Sequence, residues 1–146
     1  MTGPTIMLVD DEVPFVEAMT KRLAKRGFTV LTAFSGPDAL DKLGKEDGAR
    51  VEVVILDVKM PGMDGQEALA HIKAKFPLVE VIMLTGHGTI EAAIDGMKRG
   101  AYDFLTKPAE MELLTAKVND AAAKKAAHEA RIQEARAWAI VNRRGD

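Results

Sequence analysis

The sequence predicts a three-layer α/β domain, with helices on both faces of a five-stranded parallel sheet and an extended helix at the C-terminus. Three observations carry this. Short apolar runs alternate five times with stretches of helical periodicity. The connections are short, which implies right-handed crossovers between parallel strands. The central run, VVIL at residues 53–56, is continuous rather than alternating, as a strand covered on both faces must be.

Composition narrows the class. A chain of 146 residues with 47% apolar and 29% charged residues suits one domain, burying roughly two-thirds of the surface its unfolded form would expose. A formal net charge of −2 supplies no global field for nucleic acid or an anionic membrane. The absence of Cys excludes disulfides, thiolate zinc sites and cysteine nucleophiles. The N-terminal MTGPTIMLVDDE has no basic start and too short an apolar run for a signal peptide or membrane span, so a cytoplasmic location is expected.

The elements follow in order. Residues 6–9 form a strand running into Asp10, Asp11 and Glu12. Phe15, Val16, Met19 and Leu23 then share one helical face, and Lys25 and Arg26 before Gly27 mark a helix stop. FTVLTA (28–33) is the second strand. Ser35, three residues before Asp38 and with Pro37 between, marks a helix start; Ala39, Leu40 and Leu43 form its inner face, and 44–48 read as a polar loop. After the central strand comes a helix over 66–75 with Leu69, Ile72 and Phe76 inward, and Asp64 reads as its start residue. VEVIML (79–84) is the fourth strand, and the next helix carries Ile90, Ala93, Ile94 and Met97 up to Gly100. Residues 102–105 are the fifth strand.

The last helix begins after Pro108. Met111, Leu114 and Val118 suit packing on the sheet, whereas AAAKKAAHEA (121–130) offers only Ala as apolar surface. Helix propensity favours continuity, and 121–142 would project about 33 Å at 1.5 Å per residue. A weak stripe of Ile132, Ala135, Trp138, Ala139 and Val141 rides on a locally basic end. The expected division is a body over 1–120 and a helical extension or linker over 121–146.

Four strand ends carry reactive groups: Asp10 and Asp11, Asp57, Thr85, and Lys107. In a parallel sheet all carboxyl ends share one edge, so these groups can converge. Singly, each has an ordinary reading: helix-start acids, a turn former, a strand-end Thr, a solvated Lys. Jointly they make coincidence improbable. Three carboxylates in one cleft call for a cation, and hard oxygen ligands without His or Cys select Mg²⁺. A hydroxyl and an ammonium facing the same point suit phosphoryl oxygens. The set reads as a phosphoryl-transfer site with a carboxylate nucleophile.

The segments IMLVDDE, VILDVKMPGMDG, VIMLTGHG and AYDFLTKP, in this order, resemble the receiver domain of bacterial response regulators, the CheY-like fold, over about residues 5–120. The TGHG and GAYDFLTKP forms look most like receivers of the nitrogen-regulator (NtrC) type. The resemblance implies a doubly wound, flavodoxin-like (βα)5 fold with strand order 2-1-3-4-5. It makes Asp57 the phosphoacceptor for a histidine kinase or phosphotransfer protein. Asp11 and Asp57 would bind Mg²⁺ directly, Asp10 through water, and the backbone carbonyl of Lys59 would complete the protein ligands. Lys107 and Thr85 would contact phosphoryl oxygens, Gly86 would leave room for them, and Lys107-Pro108 would be cis. Thr85 moving toward the phosphoryl group would vacate space for Tyr102 to rotate, altering the surface of the fourth helix, fifth strand and last helix. Lys59 and His87 would tune the lifetime of the acyl phosphate.

The resulting expectation is a phosphorylation-activated signalling switch, not an enzyme beyond its own phosphorylation and dephosphorylation. Two other classes compete with it. A Mg²⁺-dependent phosphatase with an aspartyl nucleophile needs a second Asp two residues after the first, where Lys59 stands, and usually a cap domain. A receiver-like binding module that is never phosphorylated loses an acid, the Thr or the Lys, and none is missing. Dinucleotide binding fails because Glu91 stands where the third glycine should be. Output would pass to a downstream protein, or to a domain in a longer regulator from which this receiver was cut. No direct nucleic-acid or membrane contact is expected. Self-association would use the fourth helix, fifth strand and last helix, or the C-terminal stripe.

Overall fold

A computed structural model describes residues 3–45, 47–86 and 90–144. Its elements are β1 (Thr5–Val9), α1 (Val13–Lys25), β2 (Thr29–Ala33), α2 (Gly36–Leu43), a 3-10 turn (Asp47–Arg50), β3 (Val53–Asp57), α3 (Gly65–Lys75), β4 (Glu80–Thr85), α4 (Ile90–Lys98), β5 (Asp103–Thr106) and α5 (Met111–Arg144). All strand pairings are parallel, in the order β2-β1-β3-β4-β5. This is the doubly wound fold, with the expected order.

The helices divide between two apolar layers. Ala39 and Leu43 of α2 and Ala68, Leu69 and Ile72 of α3 pack with Val54, Leu56 and Met83 on one face, with Ala92 of α4 beside them. Val16, Met19 and Leu23 of α1 and Leu114, Val118, Ala121 and Ala122 of α5 pack with Ile55, Ile82 and Leu84 on the other. The five residues of β3 are all buried, which is why its sequence does not alternate.

Local chemistry sets the helix ends. Ser35 Oγ accepts from the Asp38 amide at 3.2 Å, and Asp64 Oδ1 accepts from the Glu67 amide at 3.0 Å. Gly27 takes φ +93°, the left-handed conformation that ends α1 without a Cβ penalty.

Two features differ from the pattern read in sequence. The loop at 44–48 gives way to the 3-10 turn from Asp47. In α4 only Ala93, of the four apolar residues at helical spacing, is buried; Ile94 is 46% exposed, because the helix rests on the sheet through the small residues Ala93 and Gly96. Ala121 and Ala122, just past the division expected at residue 120, are buried against the sheet. Lys124 of α5 reaches Glu80 at 3.1 Å, and Lys73 of α3 reaches the same buried carboxylate at 3.5 Å from the other face. Beyond this clamp α5 continues unbroken, with Trp138 and Val141 exposed.

Candidate functional site

The strand order reverses direction between β1 and β3, and open α/β sheets form a crevice beyond the carboxyl ends of such strands. β1 delivers Asp10 and Asp11 to this crevice and β3 delivers Asp57. The backbone holds them there: the Asp10 amide donates to Ala33 O at 3.1 Å and the Val58 amide to Leu84 O at 3.0 Å. One carboxylate oxygen from each of Asp10, Asp11 and Asp57 lies within 4.8 Å of the others. Asp10 is fully buried and Asp57 nearly so, while Asp11 is exposed.

Lys107, just past β5, closes the cleft. Its amide donates to Thr85 O at 2.8 Å, and its ammonium lies 2.7 Å from Asp10, 3.4 Å from Asp57 and 3.9 Å from Glu12. The Lys107-Pro108 bond is cis. The ammonium also sits over the Phe15 ring, 4.5 Å from its centroid. Burial draws the Lys107 ammonium down, but its hydrogen bond to Asp10 and the charges of Asp57, Asp10 and Glu12 outweigh burial and leave it above its ordinary range.

Asp57 responds in the opposite sense to a typical paired carboxylate. Burial and the neighbouring Asp10 charge push its carboxyl up to about 6, against Lys107 and the Lys59 amide, which pull it down. A second positive charge placed among these carboxylates would restore the ionised form. The donor set, hard oxygens with two of three groups buried, fits a small divalent cation.

The loop after Asp57 is held close. A Cβ on Gly65 would stand 2.5 Å from Asp57 O and 2.7 Å from Val58 Cα, so only glycine lets α3 start directly against the end of β3. Gly62, after Pro61, takes φ +74°. A Cβ on Gly86 would meet no described atom within 4 Å. Thr85 is buried, and its hydroxyl donates to Gly86 O at 3.1 Å. His87 lies outside the described residues. Lys59 is exposed.

Tyr102 does not join this group. It precedes β5 rather than belonging to it, its amide donates to Val81 O at 2.7 Å, and its ring lies 5.6 Å from the Lys124 ammonium. Val81 is four residues before Thr85 on β4, which sets Tyr102 about 13 Å along the strand at 3.3 Å per residue. It packs with the α1 and α5 layer. The aromatic on the side of Thr85 is Phe104: Thr85 pairs with Thr106, Met83 with Phe104, and alternate residues share a face. Counting back by two from Thr106 would have found it in the sequence.

Comparisons with known proteins agree with this geometry. The family model described as "Response regulator receiver domain" matches residues 6–119. The transcriptional regulatory protein GlrR of Escherichia coli (strain K12) is 37% identical over 116 residues, covering 80% of this chain and 26% of GlrR. The DNA-binding transcriptional regulator NtrC of the same strain is 33% identical over 116 residues, covering 80% of this chain and 24% of NtrC. The crystal structure of a response regulator receiver domain protein from Clostridium thermocellum superposes with a TM-score of 0.80 at 36% identity, covering 84% of this chain and 97% of that one. The chain thus spans about a quarter of the length of the curated relatives it matches. With the sheet order, the acidic crevice and these matches in agreement, the chain belongs to the response regulator receiver domain family, alongside the receivers of NtrC-type regulators.

Proposed function

We propose that the chain is a phosphorylation-dependent switch that takes a phosphoryl group on Asp57 from a histidine kinase or phosphotransfer protein. The observation that carries this is the cleft itself: three carboxylates within 4.8 Å of one another, with the Lys107 ammonium against two of them. Asp10, Asp11 and Asp57, with the Lys59 carbonyl, would hold Mg²⁺. Bound there, the ion would offset negative charge on the phosphoryl oxygens and keep Asp57 ionised.

The remaining chemistry belongs to the chain. An Asp57 oxygen attacks phosphorus in line, held rigid by a strand buried on both faces. Lys107 turns from the carboxylates toward the phosphoryl oxygens, and the Thr85 hydroxyl leaves Gly86 O to donate to them. Gly86, where a Cβ would meet no described atom within 4 Å, would leave room for the group. Thr85 moving toward Asp57 frees volume on the face where Phe104 lies, so Phe104 takes the relay role that the sequence suggested for Tyr102. The change is read on α4, β5 and α5, where Ile90, Ile94 and Met97 are exposed.

The receiver body runs to about Lys125, and the rest of α5 is an extension or linker toward an output partner. No helix among the described residues is long and apolar enough to cross a membrane. The reading places the chain with its kinase's cytoplasmic domain and requires no nucleic-acid contact by the receiver. Self-association through the α4-β5-α5 surface or the end of α5 is tested by sedimentation with and without phosphorylation.

The deciding experiment is incubation with acetyl phosphate and Mg²⁺, followed by intact-mass measurement. A phosphoryl mass increase that is lost in Asp57→Asn supports the switch. Turnover of an added phosphomonoester would instead make the chain a phosphatase.

A further inference from the structure

The Lys107 ammonium has carboxylates on one side and an aromatic ring on the other. Asp10 at 2.7 Å, Asp57 at 3.4 Å and Glu12 at 3.9 Å face it from the cleft, and the Phe15 ring covers it with its centroid 4.5 Å away. We propose that Phe15 is a positioning residue for Lys107, holding the ammonium over the cleft so that its N–H groups can pass from the carboxylates to a phosphoryl group on Asp57. The inference rests on the phosphoryl-transfer reading of the same site.

A lysine near three acids leans toward the nearest of them. Lys107 lies closer to Asp10 than to Asp57, and Asp10 is fully buried, so the resting ammonium is drawn toward the group that does not react. A hydrogen-bonding neighbour on its outer side would occupy an N–H and compete with the incoming phosphoryl oxygens. A ring face does neither. It attracts the cation through its quadrupole without demanding a particular N–H direction, and it keeps water off that side. The ammonium can then rotate between acceptors while remaining in place.

The position of Phe15 sets it apart from the rest of its helix face. Val16, Met19 and Leu23 are buried in the layer under α1 and account for how the helix docks. Phe15 is only half-buried at the rim of that layer, in the first turn of α1, where the helix comes up to the acidic crevice. Its helical spacing explains why it faces the sheet. Its ring over Lys107 is an additional contact that spacing does not require.

The test uses acetyl phosphate as donor, so that no kinase surface is involved. In that reaction the bond from an Asp57 oxygen to phosphorus forms as the bond from phosphorus to the acetyl oxygen breaks, and acetate leaves with the electron pair. Phe15→Leu keeps the apolar volume and removes the ring. It is expected to slow phosphorylation at saturating donor by about three- to tenfold, the range of a partly exposed cation–π contact. Binding of beryllium trifluoride, a non-covalent stand-in for the phosphoryl group, should weaken by a similar factor in the presence of Mg²⁺. Phe15→Tyr and Phe15→Trp should restore both. In a Lys107→Met background, Phe15→Leu should have no further effect, because the group it positions is gone.

A purely structural role gives a different pattern: Phe15→Leu would act equally with and without Lys107, or would not act at all. Either result overturns the proposal. If the parent chain gains no mass on Asp57, the phosphoryl-transfer reading falls and the proposal falls with it. If the parent is phosphorylated normally and Phe15→Leu matches it, only the role of Phe15 is lost.

Discussion

Lys107 is paired more closely with Asp10 than with Asp57, at 2.7 Å against 3.4 Å, and Asp10 has no exposed surface. The pair therefore has a structural role even before any phosphoryl group arrives. Lys107→Met leaves a fully buried carboxylate that keeps the Glu12 amide, at 2.9 Å, as a hydrogen-bond donor. Breaking such a pair from one side costs about 3 kcal/mol or more. Urea unfolding in a chelator should show a loss of that order, and Mg²⁺ should recover part of it by supplying positive charge to the same oxygens. An equal loss with and without Mg²⁺ would count against a cation site among these acids.

Asp57 gives a pH dependence of definite sign. Its carboxyl is pushed up to about 6 from 3.8, chiefly by burial and then by Asp10. The folded protein therefore holds this proton to a higher pH than the unfolded chain does. Its contribution is fully present below about pH 4 and is lost as pH rises through about 6. Asp57→Asn removes that loss. In metal-free buffer the variant should be the more stable protein above pH 7, by on the order of 2 kcal/mol, with the gap closing toward pH 4. Denaturation midpoints across that range check it, and a gap that does not vary with pH refutes it.

Tyr102 and Phe104 should separate cleanly in a relay experiment. Tyr102 lies toward the amino end of the sheet, under Lys124, whereas Phe104 packs on the face that Thr85 shares. Tyr102→Phe should leave the amide shift changes of α4 and β5 on beryllium trifluoride binding intact. Phe104→Leu should reduce them while costing about 1 kcal/mol of stability, as a core substitution that conserves most of the volume. Loss of the response in Tyr102→Phe alone would restore the role first read for it.

The end of the folded body can be found by truncation. Stopping the chain after residue 120 removes the buried Ala121 and Ala122 and takes Lys124 from Glu80, leaving that carboxylate with Lys73 as its ion-pair partner among the described residues. The cost should be about 2–4 kcal/mol, from lost apolar burial and a half-broken ion cluster. Stopping after residue 130 keeps every one of these contacts and should leave the unfolding midpoint within about 0.5 kcal/mol of the parent. Similar destabilisation by both truncations would show that the projecting part of α5 contributes to the body.

Much of this protein is legible in the sequence because the relevant signals are local. A strand buried on both faces must be continuously apolar, so 53–56 could be read without a partner. Ser35, Asp64 and Gly27 act on backbone within a few residues of themselves, and their caps and left-handed turn appear where the sequence put them. The strand runs were placed to within one residue at each end. The convergence of Asp10, Asp11, Asp57 and Lys107 on one edge also follows from parallel topology alone.

The rest depended on registration between elements. Tyr102 and Phe104 stand two positions apart, and only the pairing of Met83 with Phe104 and of Thr85 with Thr106 puts Phe104 on the face of Thr85, while Tyr102 precedes β5 and packs in the other layer. Periodicity in α4 could not say that Ala93 and Gly96 would carry the packing and leave Ile90, Ile94 and Met97 at the surface. Nor could it say that Lys124 of α5 would meet Glu80 of a distant strand. The sequence by itself determined the strand–helix order and which chemical groups share an edge. Tertiary structure alone decided that Lys107 leans toward Asp10 beneath the ring of Phe15, since those distances are set by packing between residues about a hundred positions apart.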